Sequence, residues 1–448
     1  MNLEHILDNE ISALKTKYAS ERPRSRDLQE IAAAYIPGGT TRTVLAFDPF
    51  PFRVADATPV ELIDVDGFSY LDFCGDHTNG LFGHTCEALI SAVTKKLYTG
   101  WSIGSTHQLE IQAAELICKR FPSIEKVRFT NSGTEANLLA ISLCMYLSQR
   151  EGVLVFKNGF HGSLLSFNVS DGVLKNELNA PYNFVVAEFN KEDGLEEIFL
   201  HHKIGCVIVE PMQGSGGCVP AKYEFLALLR SLCDAYGAYL IFDEVMTSRL
   251  HPHGLQAYYS VDPDITTLGK YLGGGFSFGA FGGKSELMSN FNGYGTQLRH
   301  SGTFNNNVAS MTACVEVLTN LFLEKDAIML NQRGDSFRES LGELFAKYNI
   351  PITLTGIGSM MHFHSHDIRW IKWFFYSLLL EGIYIAPNGL ISLSLAMQQP
   401  HINTFLKHCN ALCYDLCNRI SIEKQYSLNV GENICNSSPR NPSVCNII

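Results

Sequence analysis

The sequence predicts an α/β chain: a mostly parallel sheet covered on both faces by helices, with a smaller α+β unit beside it. Three observations carry this. Helical and strand patterns take turns from about residue 107 to about 245. The strand segments, such as Leu240-Ile241-Phe242, are continuous apolar runs rather than alternating ones, as strands buried on both faces must be. At 448 residues the chain also exceeds the size at which one core keeps growing, so two packed domains are expected.

Residues 1 to about 36 read as two helices separated at Ser20-Glu21-Arg22-Pro23-Arg24. Pro37-Gly38-Gly39-Thr40-Thr41-Arg42 is a turn-forming loop, and the prolines of Phe47 to Phe52 confine that stretch to irregular or edge structure. Alternation from Glu61 to Phe73 around Asp64-Val65-Asp66-Gly67 predicts a hairpin. Helix Gln108–Arg120, strand Lys126–Thr130 and helix Gly133–Gln149 come next. Strands Val153–Phe156, Phe184–Glu188 and Cys206–Glu210, helix Lys222–Tyr236 and strand Tyr239–Val245 continue the series. Beyond about 318 the expected elements are a helix near 308–324, strands Ile352–Thr355 and Met360–His364, helix Ile368–Glu381, strand Ile391–Leu395 and helix Ile402–Ile420. Residues 1–64 then form an N-terminal segment, 65–318 a large domain, 319–424 a C-terminal small domain, and 425–448 a polar tail with no fold of its own.

Net charge is −11, from 34 basic and 45 acidic residues, with no basic run, which argues against a nucleic-acid partner. The first residues lack the basic-then-apolar pattern of a signal peptide, and the most apolar helix, Trp370 to Leu380, contains Lys372 and is too short to span a bilayer. A cytoplasmic, membrane-free protein is the expectation. The cysteines number 13 and form no CxxC pair; most sit in apolar runs and read as reduced core thiols. Cys409, Cys413 and Cys417 share one helix face, where packing is favoured over a metal. His362, His364 and His366 share one strand face, read as a solvated edge rather than a metal site. No metal is expected.

The chemistry gathers where strands end. Asp243 closes the most apolar strand, and a charge there needs a specific partner. Further along, the β-branched run Thr266-Thr267-Leu268-Gly269 ends on Lys270, followed by Tyr271-Leu272 and three glycines. An amine able to form a Schiff base, and an acid able to hold a pyridine nitrogen protonated, are what pyridoxal phosphate requires. Asn131-Ser132-Gly133-Thr134-Glu135 joins a strand to a long helix and offers an anion cradle, though an ordinary N-cap reads the same. Phe160, within Gly159-Phe160-His161-Gly162, can lie over a cofactor ring or simply close the core. Lys157 competes with Lys270 but lacks the small residues beside it. Glu210 ends another strand, Val245 points to the same side as Asp243, and Thr303 beside Gly302 is a second possible phosphate contact.

Taken in order and spacing, these pieces resemble the class III pyridoxal-phosphate aminotransferases of fold type I. The resemblance rests on Arg128 to Asn137, Phe242 to Arg249, Leu268-Gly269-Lys270-Tyr271, Gly279 to Gly283 and His300 to Asn307, and spans about Tyr35 to about Leu395. Within that family the chain is similar to the group holding glutamate-1-semialdehyde aminomutase and β-phenylalanine aminotransferase, more so to the β-amino acid enzymes. The resemblance implies that Lys270 is the Schiff-base lysine and proton carrier, and that Asp243 pairs with the pyridinium. It implies that Phe160 and Val245 flank the ring, and that Ser132, Gly133 and Thr134 hold the phosphate. Thr303 would reach the phosphate of a second subunit, making a homodimer with shared sites. Arg42 matches the arginine that binds the substrate carboxylate. One departure stands out: Asn388 replaces a second arginine that binds the carboxylate of the α-amino acid partner. The implied reaction moves an amino group between a β-amino or other non-standard amino acid and a keto acid. An intramolecular aminomutase and a cofactor-binding regulatory homologue are the rival readings.

Overall fold

The continuous apolar runs assemble side by side in the computed structural model of the chain, which describes residues 3–170, 173–174, 178–293 and 298–436. Seven strands form one sheet: β1 (Lys126–Thr130), β2 (Gly152–Phe156), β3 (Asn183–Ala187), β4 (Ile204–Val209), β5 (Tyr239–Asp243), β6 (Ile265–Gly269) and β7 (Gly279–Gly283). Their order across the sheet is β1-β7-β6-β5-β4-β2-β3. Only β7 runs against its neighbours. Every residue of β2, β4, β6 and β7 is buried, whereas the edge strands β1 and β3 are open at their first residue. The parallel strands therefore discharge their carboxyl ends along one side, where an α/β sheet binds ligands.

Among the described residues four smaller sheets lie outside this one, two of them only two-stranded. Val54–Ala57, Glu61–Asp64 and Ser69–Asp72 form the antiparallel meander that the hairpin signal predicts, and Ile383–Tyr384 from the far end of the chain adds to it in parallel. Thr353–Ile357, Met360–His364 and Leu390–Ser392 make a second antiparallel sheet. The two N-terminal helices, Leu3–Glu21 and Pro23–Tyr35, meet at Arg22 as expected.

Three differences from the sequence reading have physical causes. Helix Glu324–Lys347 was not expected, because Gly334 and Gly342 interrupt its pattern. Gly334 is no breaker here: a Cβ on it would lie 2.1 Å from Gly358 O, so the helix needs glycine to pack against that turn. Helix Gln399–Asn436 runs past the expected end near Ile420, through the first part of the segment expected to lack structure; no glycine or proline interrupts it between Pro400 and Gly431. Residues 437–448 of that expected tail lie outside the described residues. The histidines of strand Met360–His364 are not a solvated edge. His364 Nε2 lies 2.7 Å from Thr355 Oγ1 and 2.9 Å from Gly217 O, and burial pushes His362 down to about 4. Among the described residues no group of His, Cys, Asp and Glu is arranged to hold a metal, and no helix is long and apolar enough to cross a membrane.

Arg249 ties the large sheet to the outer ones. It is 1% exposed, and its guanidinium donates to Thr78 O (3.2 Å), Ser392 Oγ (3.0 Å) and Leu393 O. Burial without a carboxylate partner pushes it down to about 10. The planar fork reaches acceptors on separate segments from two nitrogens, whereas the three donors of an ammonium diverge from a single atom. Arg249→Lys is expected to cost about 1–3 kcal/mol by leaving buried carbonyls unpaired, read as a lower denaturation midpoint with unchanged secondary structure by circular dichroism.

Candidate active site

Asp243, the last residue of β5, is 4% exposed, and its carboxylate is solvated by the protein itself. Asn137 Nδ2 donates to Oδ2 at 2.8 Å, and His161 Nδ1 lies 2.8 Å from the same oxygen. Val245 N donates to Oδ1 at 3.0 Å, with Thr267 Oγ1 at a longer 3.4 Å. Asn137 is fixed in turn, donating to His161 O (2.9 Å) and accepting from Thr267 Oγ1 (2.6 Å). Each donor arrives from a different element: the helix Gly133–Ser148, the loop after β2, and β6. Sequence reasoning missed Asn137, His161 and Thr267. Each lies inside a motif quoted above but was given no role there, and nothing short of the folded sheet shows that they converge.

The neighbouring strand ends supply the rest. Helix Gly133–Ser148 begins at Ser132, whose Oγ accepts from Glu135 N (3.2 Å), leaving the first N–H groups of a long helix directed outward. Val245 packs tightly against Gly133: a Cβ there would meet its Cγ1 and Cγ2 at 2.8 Å. Gly269, just before Lys270, would meet Val245 Cγ1 at 3.1 Å, so Val245 is seated between the helix start and the end of β6. A Cβ on Gly162 would lie 2.1 Å from Thr134 Oγ1, which places Thr134 against the Phe160 loop. Phe160 N donates to Glu210 Oε2 (3.0 Å) and Gly214 N to Oε1 (2.9 Å), while the Phe160 ring stays 36% exposed.

Lys270 leaves β6 with φ +50, and its Nζ lies 3.4 Å from His77 O. Burial lowers its ammonium below the ordinary lysine value, against the raising effect of Asp243 and Asp76, so the amine is easier to deprotonate. His77 belongs to a turn in which four consecutive residues are left-handed: Gly75 (φ 57), Asp76 (φ 47), His77 (φ 49) and Thr78 (φ 79). Such strain persists only where surroundings over-determine it. Here Asp72 Oδ1 accepts from Cys74 N (2.9 Å) and Gly75 N (3.1 Å), and Arg249 holds Thr78 O. Nothing in the local sequence announces this turn, since three of its residues carry a Cβ.

Beside the turn a cavity of about 780 Å³ opens, lined by Arg42, Asp76 and His77 among many apolar side chains. Arg42 Nη2 donates to Asp76 Oδ1 at 3.1 Å. Other expected residues are not gathered there. Asn388 is exposed and does not line the cavity; its Oδ1 accepts from Leu390 N (3.2 Å) within its own turn. Thr303 is exposed on a loop whose Asn305 Oδ1 accepts from Asn131 Nδ2 (3.0 Å), beside the helix start. Lys157, the competing amine, is paired with Glu188.

These residues fit pyridoxal phosphate. The buried, multiply bonded carboxylate suits a protonated ring nitrogen, the desolvated amine suits an aldehyde, and the helix start suits a phosphate. The comparisons agree. A family model described as aminotransferase class-III matches residues 46–410. The chain is 39% identical to β-phenylalanine transaminase of Variovorax paradoxus over 89% of this chain and 95% of that one. It is 35% identical to glutamate-1-semialdehyde 2,1-aminomutase of Methanococcus maripaludis over 82% and 91%. The crystal structure of the Variovorax paradoxus β-phenylalanine aminotransferase superposes with TM-score 0.88 at 38% identity, covering 90% of this chain and 97% of that one. A transaminase with pyridoxal phosphate bound matches at TM-score 0.82 and 27% identity, covering 89% and 99%.

Burial pushes the Glu210 carboxyl up to about 7, with Asp243 adding to the rise and His161 and two backbone donors opposing it. Because this lies above the unfolded value of about 4.3, the folded chain holds a proton that the unfolded chain has lost. The Glu210 contribution to stability is therefore full below about pH 4 and is lost as pH rises through about 7. In thermal melts of cofactor-free protein, the advantage of wild type over Glu210→Gln is expected to shrink between pH 5 and pH 8; a constant difference would refute the assignment.

Proposed function

The chain belongs to the class III aminotransferase family, whose cofactor is pyridoxal phosphate, and on that premise we propose that it moves an amino group from a β-amino acid, or another non-standard amino acid with an apolar side chain, to a keto acid acceptor. One observation carries the substrate class. Two arginines line the cavity, but Arg53 is engaged by Gln29 Oε1 and Gly39 O, so Arg42 is the guanidinium placed to meet a ligand, opposite walls that include Phe47, Phe52, Leu62, Phe82 and Val93. The cation suits a carboxylate, and the apolar walls suit a hydrocarbon side chain. The similarity to β-phenylalanine transaminase supports the same reading.

When bound, pyridoxal phosphate supplies an aldehyde that takes up the amine and a ring that draws electrons from the carbon losing its proton. The residues of the chain do the rest. Lys270 Nζ, desolvated and deprotonated at lower pH than a free lysine, holds the cofactor and carries the proton to and from the substrate carbon. Asp243 presents a carboxylate to the ring nitrogen, and Asn137 and His161 keep that carboxylate oriented. Phe160 and Val245 would flank the ring. Ser132, Gly133 and Thr134 receive the phosphate at the helix start. Thr303, exposed on its loop, reaches the phosphate of a second subunit, so the working enzyme is a homodimer with shared sites.

Asn388 favours a second reading. An exposed amide engaged with its own turn offers no charge to a second carboxylate, and losing a bidentate ion pair costs about 2–5 kcal/mol. An intramolecular aminomutase, which needs no separate acidic acceptor, is compatible with that substitution and with the 35% identity to the semialdehyde aminomutase.

Single amino acids supplied to the holoenzyme are expected to convert the cofactor spectrum from the pyridoxal to the pyridoxamine form, with β-amino acids of aromatic or aliphatic side chain the best donors. One keto product per cofactor converted means transfer; an amino isomer with no keto product means the mutase. Lys270→Ala is expected to lose turnover by about 10²–10⁴-fold and to lose the visible absorbance of lysine-bound cofactor. Retained turnover would remove Lys270 from this role.

A further inference from the structure

We propose that Asp76 is a specificity-determining residue, an internal carboxylate that occupies Arg42 in competition with the carboxylate of the substrate. The inference rests on reading Arg42 as the substrate's carboxylate anchor. The two side chains meet at 3.1 Å inside the cavity, and they are 48% and 41% exposed, respectively. An ion pair so open to water is weak and exchanges readily. Asp76 is not a loose surface acid that happens to lie nearby. Its Oδ2 accepts from Asn79 Nδ2 at 2.8 Å, and its backbone sits in the left-handed turn pinned by Asp72 and Arg249. Oδ1 is thus aimed at Arg42 by a strained segment, while Arg42 approaches from an irregular loop next to the turn Thr43–Leu45.

The arrangement solves a problem of charge. A guanidinium facing apolar walls with no counter-ion would disfavour any molecule lacking a carboxylate at that position. With Asp76 in place the cation is neutralised until a carboxylate arrives, and Asp76, still held by Asn79, gives it up. The same cavity then admits two kinds of molecule: those that take Arg42 from Asp76 and those that leave the pair closed. The second kind includes carbonyl partners whose carboxylate lies elsewhere. That matters in a chain where position 388 carries no charge.

The test uses the holoenzyme and 3-phenylpropanoate, a carboxylate with an apolar tail and no amine to react, with its dissociation constant read by calorimetry. Asp76→Asn suits the left-handed backbone and keeps a hydrogen-bonding partner for Asn79, and an unchanged far-ultraviolet circular dichroism spectrum verifies the fold. Asp76→Asn is expected to bind the probe about fivefold more tightly, the equivalent of losing one exposed competing ion pair. Arg42→Gln is expected to bind it at least about tenfold more weakly, and adding Asp76→Asn to Arg42→Gln should then change nothing. If Asp76→Asn binds no more tightly while Arg42→Gln still weakens binding, this proposal fails and the reading of Arg42 survives. If Arg42→Gln does not weaken binding, the anchor itself is wrong and both fall.

Discussion

A carboxylate at the end of a strand buried on both faces must be solvated by protein or it will not stay ionised. Asp243 is in that position, and much of the large sheet is arranged around meeting its needs. Its donors are Asn137 from a helix, His161 from a loop and Val245 N just past its own strand, and Asn137 is itself fixed by Thr267 of β6, so the carboxylate is satisfied only when β2, β5, β6 and the helix Gly133–Ser148 stand in their observed order. The same packing seats Val245 between the helix start and the exit of β6. The start of helix Gly133–Ser148, Asp243 and Lys270 are consequently held by one rigid core, which is the precision that positioned chemistry demands.

The residues proposed to select the substrate rest on different material. Arg42, Asp76 and His77 lie on loops and on a turn whose backbone is strained, over a cavity walled by side chains from several segments. Loops carried by a stable scaffold can change their side chains without disturbing the sheet. The departure at Asn388 falls in an exposed tight turn, not in the core.

Much of this was legible in the sequence, for reasons that can be stated. Strand Lys126–Thr130 and helix Gln108–Arg120 were read to the residue because apolar period and breakers coincide there. Asp243 and Lys270 stand out in the sequence because each places a charge directly after a buried run. Helix Glu324–Lys347 was missed because a glycine placed for close packing looks like a glycine placed to end a helix. The left-handed turn Gly75–Thr78 was missed because its conformation is imposed from outside, by Asp72 and by Arg249, and local propensity opposes it. The convergence of Asn137, His161 and Thr267 on one carboxylate is a property of strand order, which spacing along the chain does not encode.

The parallel pairing of Ile383–Tyr384 with Ser69–Asp72 bears on how the protein is made. Phe73 N donates to Tyr384 O, and Ser392 N donates to Phe73 O, immediately before the strained turn. During synthesis the amino-terminal meander emerges long before those partners exist, and with it an unpaired strand edge of the kind that invites misassembly. The turn that faces Lys270 must wait for the same late residues and for Arg249 to be buried among them. A nascent chain can therefore complete its large sheet before the residues that close the turn facing Lys270 have been made.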